Sequence, residues 1–209
     1  MTLGKIDFNS NAVDWAKMDG LIPAVVQDAA CLRVLMLGYM NQAALQQTID
    51  TGLVTFYSRS KQRLWQKGEE SGHVLALRSL HLDCDGDGLL ILADPKGPTC
   101  HLGTRTCWGD GVGDPSVAVL AELQALVHQR RLSPELNSYT TRLFADGLTR
   151  IAQKVGEEGV ETALAAATHA DNLADETADL LYHLLVLLEA SPTDLQQVLT
   201  ILHQRMQAN

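Results

Sequence analysis

The sequence predicts two domains, a predominantly β (α+β) N-terminal domain followed by an all-α helical bundle. Three observations carry this. All four Cys and all three Trp of the 209 residues precede residue 110, whereas the remainder is rich in Ala and Leu. Apolar residues fall in short runs in the first half and at helical spacing in the second. Between the halves, Gly109 to Pro115 is Gly-rich, polar and closed by Pro, so domains are expected at 1–114 and 115–209.

From Ile22 to Leu37 the β-favouring Val25, Val26 and Val34 indicate two strands joined around Asp28 to Leu32. Cys31, inside this run, reads as a small buried core residue. Asn41 is placed to cap a helix through Ile49, which Gly52 ends. Leu53 to Tyr57 then resumes strand character. Two further strands, Val74 to Leu82 and Leu89 to Ala93, flank an acidic, Gly-rich segment and deliver it to the domain's edge.

Past the linker, Val117, Leu120, Leu123, Leu126 and Val127 mark a first helix, with Arg130 and Arg131 where cations favour a C-terminus. Ser138 caps a second helix running to Gly147. Helices over roughly 148–169, 172–190 and 193–207 complete the bundle.

With 46% hydrophobic residues the chain can bury a sizeable core, and a formal charge of -9 argues against a general nucleic-acid binder. The first twenty residues lack a basic segment followed by an apolar one, and no apolar run reaches membrane-spanning length. A cytoplasmic protein that binds neither membrane nor nucleic acid is expected.

The chemistry concentrates between Asp83 and Cys107. On an extended backbone Asp83, Asp85 and Asp87 would project from one face, about 6.6 Å apart, and Cys84 from the other. Three carboxylates with no neutralising cation beside them in the sequence call for a hard ion such as Mg²⁺. Cys84, Cys100 and Cys107 call for zinc, and three thiolates without Cys-x-x-Cys knuckles leave a fourth position for water, as catalytic zinc sites do. An EF-hand loop is excluded because Ile91 fills a liganding place and the flanks read as strands. An Asp/Gly hairpin tip explains Gly86 and Gly88 but not the thiols. A disulfide is disfavoured for a cluster of three.

Two further clusters stand out. Ser58 to Gly68 gathers Arg59, Lys61, Arg63 and Lys67 beside Trp65, a pattern that is either a solvated face or a phosphate-binding segment. In the helical half, Glu158-x-x-Glu161 and Glu176-x-x-Asp179 each place two acids on one helical face. Leu180, Leu181, Leu184, Leu185, Leu187 and Leu188 make the second helix apolar almost all round, so Asp179 is expected to point inward and complete a Mg²⁺ cage between two helices. Arg150 and Lys154 share that face, either to hold a triphosphate or simply to pair with Glu158.

Asp-Cys-Asp-x-Asp, then Gly97-Pro98-Thr99-Cys100-His101, then Cys107 with an aromatic, resembles phosphoribosyl-AMP cyclohydrolase. Glu-x-x-Glu and Glu-x-x-Asp fourteen residues apart, with Arg150-Ile-Ala-Gln-Lys154-Val-Gly-Glu-Glu-Gly and Leu-Tyr182-His183-Leu, resembles the all-α nucleotide pyrophosphohydrolases and, among them, phosphoribosyl-ATP pyrophosphatase. The whole chain is similar to bacterial fusions of the two enzymes of histidine biosynthesis. Trp108 stands where the first family usually has Phe.

The resemblance implies that phosphoribosyl-ATP loses pyrophosphate in the helical domain, with Mg²⁺ on Glu158, Glu161, Glu176 and Asp179. The product's adenine N1–C6 bond is then hydrolysed by water activated on zinc held by Cys84, Cys100 and Cys107. It further implies that His101 shuttles a proton and that Asp83, Asp85 and Asp87 bind Mg²⁺. Trp65, Lys67, Gly68, Ser71 and Gly72 would lie about the first active site, with Arg59 and Lys67 on phosphate. The zinc ligands would come from both subunits of a homodimer. Two other classes fit the residues: a non-catalytic zinc module fused to a helical dimerisation bundle, and a general nucleotide pyrophosphatase.

Overall fold

Alternation of buried and half-buried residues along the strand Ile22–Asp28 (β1) puts Ile22, Ala24 and Val26 on one face of a sheet, and that face forms the core of the first unit. The structure, a computed structural model, describes residues 8–110 and 117–208 and divides at 118/119 into two compact units. The expected linker lies largely within 111–116, outside the described residues.

In the first unit, β1 pairs antiparallel with Val34–Met40 (β2) and parallel with Leu89–Pro95 (β6), which pairs antiparallel with Leu75–Leu82 (β5), giving the order β2-β1-β6-β5. Leu75, Leu77, Leu89, Ile91 and Ala93 join the same buried face. Helix Gln42–Thr51 (α1) follows β2. The Asn41 side chain accepts from Ala44 N, and Gly52 stops the helix at φ 69, the left-handed cap that Gly supplies without steric cost.

A small hairpin, Thr55–Ser58 (β3) with Arg63–Gln66 (β4), packs beside α1. The cationic segment therefore contains a strand that its charge concealed. Cys31 is also corrected: it lies half-buried in the β1–β2 turn, where the Asp28 carboxylate organises the backbone, and not in the core.

The β5–β6 connection is a hairpin tip. Leu82 and Leu89 form the last pair, and Asp83 N donates to Gly88 O at 3.0 Å, so residues 83–88 turn back on themselves. After β6 the chain makes an irregular loop over 96–110, tied back by Lys96 N donating to Val74 O and by Cys107 N donating to Leu35 O on β2, each at 2.9 Å. The acids and Cys84, in the tip, and Cys100 and Cys107, in the later loop, thus sit on loops that the sheet holds.

The second unit has five helices among the described residues: Ala118–Leu132 (α2), Tyr139–Asp146 (α3), Leu148–Ala167 (α4), Leu173–Ala190 (α5) and Leu195–Gln207 (α6). Ser138 caps α3 through its side chain, which accepts from Thr141 N. The core is small: Val127, Leu143, Ile151 and Val186, with Phe144 and Tyr182 packed against it. Val160, Leu164, Leu173 and Leu181, on the paired helices α4 and α5, stay exposed. No described helix is long and apolar enough to cross a membrane.

Candidate active sites

The hairpin tip gathers the ligand oxygens of Asp83, Asp85 and Asp87 within 4.8 Å of one another. They converge through a turn, not through strand alternation as the sequence suggested. Asp83 Oδ1 accepts from Gly86 N and Asp87 N, each at 3.0 Å, which wraps the loop around one carboxylate. The backbone N–H of Gly88, with those of Asp87 and Gly86, holds the Asp83 carboxyl below its ordinary range. Gly86 supplies the positive φ of 83° that the turn needs. A second correction concerns charge. Lys17 Nζ lies 2.8 Å from Asp85 Oδ2 and 3.6 Å from Asp87 Oδ2, so a cation invisible in the local sequence does neutralise the loop.

The thiols divide. Cys100 and Cys107 line one cavity of about 510 Å³ with Trp65, Lys67, His73 and Thr99, and Ser71 and His101 also reach it. Cys84 is exposed in the hairpin tip and does not line that cavity. The three sulfur atoms form no three-ligand cluster within one chain among the described residues.

The Cys100 thiol is pushed down by hydrogen bonds, first from the Leu102 backbone and then from Thr104, with Cys107 contributing. Loss of water around the sulfur pushes Cys107 up, although the residue as a whole remains exposed, and Cys100 adds to this. Lys67, 7% exposed, has its ammonium pushed down by burial, while the two thiols pull it back up. Its Nζ donates to His73 O at 3.0 Å, which leaves two further N–H donors. His101 is exposed, its Nδ1 3.8 Å from Cys100 Sγ. Arg59 does not line the cavity and stacks over the Tyr39 ring, 4.1 Å from its centroid.

Two residues here carry features the sequence did not assign, Thr99 having been read only as part of its motif. Thr99 is buried, and its hydroxyl has no partner among the described residues, an arrangement that costs free energy unless something else meets it. His73 packs so closely over Gly97 that a Cβ there would lie 2.7 Å from the imidazole Cδ2. Only Gly97, read as part of the Gly-Pro-Thr-Cys motif, gave a signal of that approach.

In the helical unit Glu158, Glu161 and Glu176 bring their ligand oxygens within 4.8 Å of one another. Glu158 is buried and pairs with Lys154 at 2.8 Å. Lys154 also meets Glu157 at 2.9 Å, and Arg150 approaches Glu157 at 3.4 Å, so both cations are engaged by helical acids. Desolvation and then the neighbouring Glu158 and Glu176 push the Glu161 carboxyl above its ordinary range.

Thr162 Oγ1 lies 2.7 Å from Glu158 O and 3.0 Å from Glu176 O, which ties α4 to α5 beside the cluster. Asp179 departs from expectation: it is exposed and outside the cluster. Apolar residues around α5 do not imply burial all round, because part of that surface, Leu181 included, is open in the single chain. The buried His183, one turn on from Asp179, was read only as part of a motif. Its Nδ1 lies 2.8 Å from Asp179 O, so Nδ1 donates to the carbonyl, and its Nε2 is hydrogen-bonded with Tyr139 Oη at 3.1 Å.

Both donor sets suit the expected ions. Exposed or half-buried free thiols beside an ammonium suit a borderline ion such as zinc, and grouped carboxylates suit magnesium.

The sequence matches the family model for phosphoribosyl-AMP cyclohydrolase over residues 36–109 and that for phosphoribosyl-ATP pyrophosphohydrolase over 120–206. Histidine biosynthesis bifunctional protein HisIE of Xylella fastidiosa is 58% identical over 194 residues, covering 92% of this chain and 92% of that protein. The protein of the same name from Shewanella oneidensis is 56% identical over 207 residues, 97% of this chain and 96% of its own. That from Vibrio cholerae is 54% identical over 198 residues, 94% of each. With a thiol-lined sheet unit in the range of the first match and an acid-lined helical unit in the range of the second, the chain belongs to the bifunctional histidine-biosynthesis family that joins a cyclohydrolase domain to a pyrophosphohydrolase domain.

Proposed function

We propose that the helical unit cleaves phosphoribosyl-ATP to phosphoribosyl-AMP and pyrophosphate, and that Glu158, Glu161 and Glu176 would hold the Mg²⁺ it needs, Asp179 joining them only by turning in from its exposed position outside the cluster. The sheet unit then hydrolyses the adenine N1–C6 bond of phosphoribosyl-AMP. Cys84, Cys100 and Cys107 would hold zinc there, and Asp83, Asp85 and Asp87 would hold Mg²⁺. The observation that carries this is the pairing of a cavity lined by two thiols and a buried ammonium in one unit with three converging carboxylates in the other. When bound, zinc supplies activation of water at neutral pH and magnesium supplies charge neutralisation on the phosphates.

The chain's own groups do the rest. Lys67, with two N–H donors left toward the cavity, holds a substrate phosphate, and Trp65 and Ser71 flank the nucleotide. His101, exposed beside Cys100, moves a proton at its ring nitrogens. In the helical unit Lys154 and Arg150 orient Glu157 and Glu158, and they reach the triphosphate only by exchanging those partners.

We further propose a cytoplasmic homodimer in which Cys84 of one subunit meets Cys100 and Cys107 of the other. The separation of Cys84 from the thiol cavity supports this, as do the exposed Val160, Leu164, Leu173 and Leu181 on α4 and α5.

Incubation of the purified protein with phosphoribosyl-ATP tests the reading. Pyrophosphate and the ring-opened product should both form and both disappear with a chelator. Glu158→Gln should stop pyrophosphate release yet leave ring opening of supplied phosphoribosyl-AMP intact, and Cys100→Ala should do the reverse. Wild-type pyrophosphate release by Glu158→Gln would remove the helical site from the account. Comparable hydrolysis of ordinary nucleoside triphosphates would favour a general pyrophosphatase, and absence of both products a structural module.

A further inference from the structure

The acidic hairpin tip carries a cation of the protein's own. Lys17 lies 68 residues away in sequence, yet its Nζ donates to Asp85 Oδ2 at 2.8 Å and to Asp85 O at 3.0 Å, and stands 3.6 Å from Asp87 Oδ2. This meeting is built in. The segment before it is pinned to the tip by Asp14 N donating to Gly86 O at 2.7 Å, and to the core by the buried Val13 and the partly buried Trp15. Asp14 Oδ1 in turn accepts from Lys17 N at 3.3 Å, which fixes where the side chain starts. The ammonium therefore draws on two of the three carboxylates that would hold a divalent ion.

We propose that Lys17 is a resident counter-cation of the hairpin tip, a placeholder that a divalent ion must displace from Asp85 and Asp87 in order to bind there. The inference rests on the reading of Asp83, Asp85 and Asp87 as a divalent-cation site. Removing Lys17 should not collapse the loop, because its shape is set by Asp83, whose carboxylate accepts from Gly86 N and Asp87 N and whose backbone N–H bonds Gly88 O. Exchange needs no unfolding, since the Lys17 and Asp85 side chains are 39% and 59% exposed. Loss of a basic residue is thus expected to tighten cation binding. An exposed ion pair of ordinary strength competing for the same oxygens corresponds to a weakening of about two- to fivefold.

The test is Mn²⁺ binding followed by electron paramagnetic resonance on the full chain, in a Glu158→Gln/Glu161→Gln background that silences the helical cluster. Lys17→Met should bind Mn²⁺ about two- to fivefold more tightly than the Lys17 protein. Lys17→Arg, which keeps the charge, should match the Lys17 protein. Equal or weaker binding by Lys17→Met overturns the placeholder while leaving the cation site in place. If Asp85→Asn/Asp87→Asn binds Mn²⁺ as well as its parent, the cation-site reading itself fails, and the inference with it.

Discussion

At Gly38 the absence of a side chain is a packing requirement: a Cβ there would lie 2.3 Å from Phe56 Cδ1. Phe56 is buried and sits against Trp65 with ring centroids 5.7 Å apart, and Trp65 lines the thiol cavity. Gly38→Ala should therefore cost about 1–3 kcal/mol in urea denaturation, as overpacked cores do. Adding Phe56→Leu should recover part of that loss, a non-additive result for residues in contact. Wild-type stability for Gly38→Ala would mean the two faces have slack. Lys67 shows the same limit of sequence at this scale: its charge was visible at once, but its burial and its bond to His73 O came only from folding. Thr99 entered only as a letter of the Gly-Pro-Thr-Cys-His motif, and that its hydroxyl is buried in the thiol cavity with no partner among the described residues came only from folding.

The pair α4 and α5 is where helical periodicity and tertiary packing meet. Spacing of three placed Glu158 with Glu161 on one face, but the distance to Glu176 depends on how the two helices are registered, and Thr162 ties that register. Thr162→Val, nearly isosteric, should cost about 1 kcal/mol from the lost hydrogen bond and weaken Mg²⁺ binding to the cluster in calorimetry, with Thr162→Ser restoring both. Undiminished Mg²⁺ affinity in the Val variant would assign the register to apolar packing alone.

The cluster also sets a pH dependence. Glu161 titrates above its ordinary range when no ion is bound, so over that interval the folded state holds more protons than the unfolded chain. The Glu161 contribution to the stability of the metal-free protein, read as the difference from Glu161→Gln, should then grow as pH falls through the raised value and shrink as pH climbs above it, opposite in sign to the lowered carboxyls of Glu157 and Asp83. Mg²⁺ should reduce this dependence by favouring the carboxylate, and denaturation midpoints at several pH values with and without Mg²⁺ will measure it. Asp179 illustrates the limit of periodicity: apolar neighbours on its own helix could not say which part of that helix another element covers.

At the scale of the whole molecule, the separation of Cys84 from Cys100 and Cys107 makes a prediction about assembly. If the zinc site is shared across a dimer, Cys84→Ala and Cys107→Ala proteins should each be inactive in ring opening. Mixed and allowed to exchange subunits, they should regain about a quarter of wild-type activity, since random pairing makes half the dimers mixed and each mixed dimer has one intact site. No recovery after verified exchange would place all three ligands within one subunit. Much of this architecture was legible beforehand, because strand runs, helical spacing, caps at Asn41 and Ser138 and a Gly-rich junction are local signals that neighbouring residues supply. By itself the sequence determined the order of a β-rich unit and a helical one, and which thiols and acids were available to each. Only the tertiary structure decided that Lys17 reaches the acidic tip, that Lys67 is buried beside two thiols, and that Asp179 and Cys84 stand apart from their expected partners. Those outcomes depend on contacts between residues far apart in the chain, which spacing along the backbone does not encode.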